Sequence, residues 1–204
     1  MVVSSQRTAL LEKYRSINID YDKWWDCVES DFKEDMEKVG IYVDRIFFSG
    51  FSCQGDGACF AGKLDNPLVY LDHHHKDQYP MIRKLLENGG SIYTHCKQTG
   101  NYYHENSIEL WMDHDLLYAV IDQTTEFHVA VVEVWDALLD AEMTDFDTKL
   151  TEQWKTYMRD LYRKVEAEYE YLTSDEAVWE TIAVNELDTD AEHMDEDEVY
   201  THAA

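Results

Sequence analysis

The apolar residues Trp25, Val28, Phe32, Met36 and Val39 succeed one another at steps of 3, 4, 4 and 3, which places them on one face of an α-helix. Asp20 or Asp22 is positioned to cap that helix, and Gly40 to end it. A shorter helix over 8–18, with Leu10, Leu11 and Tyr14 on one face, precedes it. Beyond Gly40 the period changes from near 3.6 to 2. Segments 41–51 and 58–64 are short, rich in β-branched and aromatic residues, and separated by a glycine-rich turn, which predicts a β-hairpin. A helix over 79–88, stopped by Gly89-Gly90, leads into a second hairpin formed by 91–98 and 105–113. In its second strand Ile108, Leu110 and Met112 alternate with Glu109, Trp111 and Asp113, as half-buried strands do.

The last third is helical in pattern. Val131, Val134, Trp135, Leu138 and Leu139 make a broad apolar face. Thr144 is placed to restart a helix that carries Phe146, Leu150, Trp154, Tyr157 and Leu161 to about residue 171. Thr173-Ser-Asp-Glu176 is a further capping-box pattern before a last short helix. The expected fold class is α+β: an antiparallel sheet of about four strands, in two hairpins, flanked by helices, with a helical acidic C-terminal third. The expected organisation is an α+β domain over 1–122, a helical region packed on it over 123–186, and a flexible acidic tail over 187–204.

The 204 residues are 45% hydrophobic, enough for a core. Charge changes the picture more than composition does. Asp and Glu total 43 against 17 Lys and Arg, a net of −26. Residues 98–148 hold 12 acids and 165–204 hold 14, with no Lys or Arg in either stretch, so these two stretches account for the whole excess. Such a chain repels phosphate, so no nucleic-acid partner is expected. No apolar run reaches the roughly 18 residues of a membrane span, so no membrane partner is expected either. The four cysteines show no CxxC pair and the first residues show no signal peptide, which points to a reducing cytoplasm.

Candidate chemistry is sparse. Gly57 to Lys63 matches seven positions of the phosphate-binding GxxxxGK[ST] loop, but Leu64 replaces the hydroxyl and the lysine falls in a strand. Asp72-His73-His74-His75 resembles a metal motif, yet consecutive histidines on a strand face alternate sides, so at most two converge. Cys53, Cys59, Cys96, His95 and His104 could gather if the hairpins pack together, but none has zinc-ribbon spacing. No metal or other cofactor is expected. Gly55-Asp56-Gly57 suits a tight turn with positive φ at both glycines, from which Gln54 and Asp56 could present their side chains. Tyr102 and Tyr103, in the second hairpin loop, are aromatics among acids, as protein-binding surfaces often display.

The stretch Tyr14-Arg-Ser-Ile-Asn-Ile-Asp20, then Trp24-Trp25, Ile46-Phe-Phe-Ser-Gly-Phe51 and Gln54-Gly-Asp-Gly-Ala58, resembles a family of small phage and prophage accessory proteins. These are often labelled antitoxins of a toxin–antitoxin stability system. The likeness covers residues 8–64 and extends loosely to 113. It departs at Cys53 and Cys59, where serine is usual. The resemblance implies a phage accessory protein in the bacterial cytoplasm and implies no catalytic residue.

Charge and resemblance together predict a non-enzymatic inhibitor, counter-defence or antitoxin-like, that binds a basic host protein such as a nuclease, toxin or defence effector. Its expected contact residues are Gln54, Asp56, Tyr102, Tyr103, Asp113, Asp115 and Asp122. DNA mimicry by the 98–148 surface and the tail is the stricter version, and a homodimer stays open. The alternative is an enzyme that binds a small ligand or metal, centred on the Gln54–Ala58 turn.

Overall fold

Among the described residues the chain builds one antiparallel sheet of four strands in the order β1 (Ile41–Phe48), β2 (Ala58–Leu64), β3 (Ser91–Gln98) and β4 (Ile108–Asp115). The helices are α1 (Ser4–Lys13), α2 (Asp26–Lys38), α3 (Pro67–His74), α4 (Pro80–Glu87), α5 (His128–Leu172) and α6 (Asp175–Val184). The computed structural model describes residues 4–115 and 128–187. The fold class is α+β, with both expected hairpins present. No helix among the described residues is long and apolar enough to cross a membrane.

Two compact units are present: residues 28–164, and residues 1–27 together with 165–204. In the larger unit the period-2 pattern decides which sheet face is buried. Ile41, Val43, Phe60, Leu64, Ile92 and Cys96 face the core with Phe32 and Met36 of α2 and with Phe146, Leu150, Trp154, Met158 and Leu161 of α5. The Phe60 ring lies 5.4 Å from Trp154 and 5.5 Å from Phe32, joining sheet to helices. Burying each such side chain contributes about 1.5–3 kcal/mol.

Several expectations need correction. Helix α2 begins at Asp26, beyond Asp20 and Asp22, because residues 14–25 form turns, with Lys23 at φ 63. The histidine run lies at the end of a helix, not on a strand. Pro67 starts α3 and Asn66 Oδ1 accepts the Val69 N–H at 3.2 Å, a cap that outweighs the short apolar run. Thr144 caps nothing: its hydroxyl donates to the Asp140 carbonyl at 2.9 Å inside an unbroken α5. The last cap sits one residue later than expected, with Ser174 Oγ accepting the Ala177 N–H at 3.2 Å.

Helix α4 takes its cap from elsewhere. Tyr79, at its start, is left-handed (φ 58) and makes no side-chain cap bond. Glu142 on α5 supplies Oε2 to the Met81 and Ile82 N–H groups at 2.9 and 3.1 Å. The smaller unit has its own core of Leu10, Leu11, Val178 and Ile182, bordered by Tyr14, Ile17, Trp179 and Leu187. Arg15 donates to the Thr173 carbonyl at 3.1 Å, and Asn18 to that of Leu172 at 3.0 Å.

Candidate protein-binding face

Alternation on β3 and β4 sends Ile92, Thr94 and Cys96 inward and Tyr93, His95 and Lys97 outward. The ladder sets Tyr93 opposite Asp113, His95 opposite Trp111, Lys97 opposite Glu109 and Ser91 opposite Asp115. On the other side of the sheet Tyr42 lies opposite Lys63, and Gly62 opposite Cys96. One step along that register sets Lys63 beside His95. A row therefore crosses all four strands on the outer face: Tyr42, Lys63, His95, Trp111. Its aromatic members keep half their surface in water, 51% for Tyr42 and 55% for Trp111, as does Tyr93 in the adjoining row at 49%. Three large aromatics are thus exposed on one sheet face, and Trp and Tyr are residue types enriched among the energetically dominant contacts of protein interfaces.

The charges on this face are mostly acidic. Lys63 holds Asp65 at 2.8 Å and leans over the Tyr42 ring, 5.6 Å from its centroid. Hydrogen bonding to Asp65 raises the Lys63 pKa. Lys97 holds Glu109 at 3.0 Å. The Tyr93 hydroxyl donates to Asp115 at 3.1 Å, and Asp113 accepts the neighbouring His114 N–H at 2.8 Å. Two carboxylates, Asp113 and Asp115, thus have no cation against them among the described residues. Both were singled out from the sequence. Tyr42, Tyr93 and Trp111 were not, although the alternation that puts them outward was legible.

The other sequence candidates gather at the sheet end where the two hairpin loops meet. Asp56 turns into its own loop, with Oδ2 accepting the Ser52 and Cys53 N–H groups at 2.8 and 2.7 Å. Gln54 is exposed. Gly55 does take positive φ, +97°, and a Cβ there would lie 2.3 Å from the Tyr102 ring. Gly57 does not. What it supplies is room, since a Cβ there would come 2.5 Å from the Tyr103 carbonyl oxygen. Tyr102 is 57% exposed, whereas Tyr103 is half-buried with its ring 5.5 Å from Phe47. Asp122 lies outside the described residues.

Cys59 and Cys96 are buried, whereas Cys27 and Cys53 are exposed. Burial pushes the Cys59 thiol up to about 12. It does the same to Cys96, where the neighbouring Cys59 adds to the rise. Such thiols are poor nucleophiles. Among the described residues no three His, Cys, Asp or Glu side chains are placed to hold a metal. His74 hydrogen-bonds Tyr157 across α3 and α5, and burial, with His73 and His75 alongside, lowers its pKa to about 4. The Tyr70 hydroxyl, buried nearby, has no hydrogen-bond partner among the described residues.

A family model described as a domain of unknown function (DUF8835) matches residues 24–175, most of the chain. No curated protein and no solved structure matches.

Proposed function

We propose that this chain, which belongs to the family described as a domain of unknown function (DUF8835), is a non-enzymatic acidic protein that binds and inhibits a basic partner protein. The observation that carries this reading is the outer sheet face, where Tyr42, Tyr93 and Trp111 stand half-exposed among Asp65, Glu109, Asp113 and Asp115. The aromatics would supply affinity once covered, and the −26 net charge would steer the encounter. The resemblance to phage accessory proteins supports a bacterial host protein as that partner: a nuclease, a toxin or a defence effector.

The experiment is capture from host lysate on immobilised protein, run in parallel with Trp111→Ala and Tyr93→Ala. The reading predicts one strongly basic protein, retained at low salt and lost when either aromatic is removed. A retained set that is acidic or neutral, or equally held by the variants, would remove the outer face from the account.

A further inference from the structure

The aromatic rings of the outer sheet face fall into two groups. On β1 each ring has one of this chain's own cations over it. Lys63 leans over Tyr42, 5.6 Å from the ring centroid, and holds Asp65 at 2.8 Å. Arg45 lies 5.0 Å from the centroid of Phe47. A cation placed over a ring and against a carboxylate is attracted by both, through the ring quadrupole and the opposite charge. Tyr42, Lys63 and Asp65 thus form a working trio of ring, cation and carboxylate.

On β4 the ring and the carboxylate recur without a cation. Trp111 and Asp113 are two residues apart on one strand, so they share the outer face at a spacing of about 7 Å. Tyr93 stands directly across from Asp113, with its hydroxyl tied to Asp115 at 3.1 Å. All these side chains are exposed, Trp111 and Tyr93 by about half. Asp113 accepts the His114 N–H through Oδ1. Among the described residues no Lys or Arg lies over the Trp111 or Tyr93 ring or against Asp113. Lys97, the β3 lysine, is held by Glu109 at 3.0 Å. Residues 1–3, 116–127 and 188–204 contain no Lys or Arg that could take its place.

We infer that Trp111, Tyr93 and Asp113 receive one arginine side chain of the partner, its guanidinium stacked on the indole and donating to the Asp113 carboxylate. The inference rests on the proposed basic partner and adds which cation that partner presents and where. Charge and geometry together select the occupant. A guanidinium is planar, so it can lie flat on a ring while its N–H groups donate sideways to a carboxylate. A lysine ammonium is a compact and strongly hydrated charge that gains less from a ring face. Tryptophan offers the strongest such face. A second copy of this chain is a poor occupant, because it brings another −26 and its own outer-face cations already have partners.

The test uses the full chain and two six-residue peptides, one alternating arginine with serine and the other lysine with serine. They carry equal charge, so general attraction to an acidic chain cancels in the ratio of their affinities. Binding is read by NMR on the tryptophan indole N–H signals, with that of Trp111 identified by its loss in Trp111→Phe. The expected result is a shift of the Trp111 signal and binding about two- to fivefold tighter for the arginine peptide, the span of one exposed cation–π contact. Trp111→Ala should abolish that preference, and Trp111→Phe, which keeps a ring, should retain part of it. Asp113→Asn should weaken the arginine peptide by up to about fivefold, the span of one exposed ion pair. Binding of neither peptide, or an arginine preference that survives Trp111→Ala, would overturn the inference. So would equal affinity for both peptides that Trp111→Ala reduces alike, which would still leave the outer face as a basic-protein site.

Discussion

Single residues at the two hairpin loops hold more of the structure than their exposure suggests. Asp56 satisfies two backbone N–H groups, so Asp56→Ala should destabilise the fold by about 1–2 kcal/mol, read by urea denaturation. Gly55 combines positive φ with a ring against its α-carbon, so Gly55→Ala should cost about 1–3 kcal/mol, and Tyr102→Ala in the same chain should recover part of it. The motif Gln54-Gly-Asp-Gly-Ala58 announced a constrained turn in the sequence. It could not announce that Gly57 is needed for the approach of the Tyr103 backbone, because that neighbour comes from the other hairpin. His74 sets a pH dependence. Its pKa falls from the usual value near 6.5 to about 4 on folding, so the unfolded chain binds the extra proton first. Stability should therefore decline as pH drops from about 6.5 to about 4, and His74→Phe should flatten that slope. An NMR titration placing His74 near 6.5 would refute this.

At the level of elements, periodicity located most helices and all four strands, because a core-facing stripe or alternation is written in the sequence itself. It failed where an end is fixed from a distance. Helix α4 has no cap of its own and borrows Glu142 from α5, sixty residues away. Glu142→Ala should cost about 1 kcal/mol while Glu142→Gln, which keeps an acceptor, should cost less; chemical denaturation of both variants checks the order. Thr144 misled for the opposite reason. Its pattern is that of a cap, but the apolar series from Leu139 through Met143 and Phe146 stays buried across it, and packing carries the helix through. The candidate face was half legible. Asp113 and Asp115 stood out by charge, while Tyr42, Tyr93 and Trp111 looked like ordinary strand aromatics until the register gathered them, exposed, on one face.

Across the whole molecule, the sequence's strongest statement is its charge, and the proposed function rests on that charge together with the exposed aromatics of the sheet's outer face. Long-range steering by a −26 chain depends on salt, since the Debye length shrinks from about 10 Å at 0.1 M to about 3 Å at 1 M. In the proposed complex, contact by Trp111 and Tyr93 would not depend on it in the same way, so the two contributions would separate kinetically: charge acts mainly on association and buried aromatics mainly on dissociation. The most direct measurement is stopped-flow association of the captured partner with the wild-type chain and with the Asp113→Asn/Asp115→Asn double variant, from 0.05 to 1 M salt. The account predicts an association rate that falls at least tenfold across that range and a shallower salt slope for the variant. A rate indifferent to both salt and the two substitutions would contradict it.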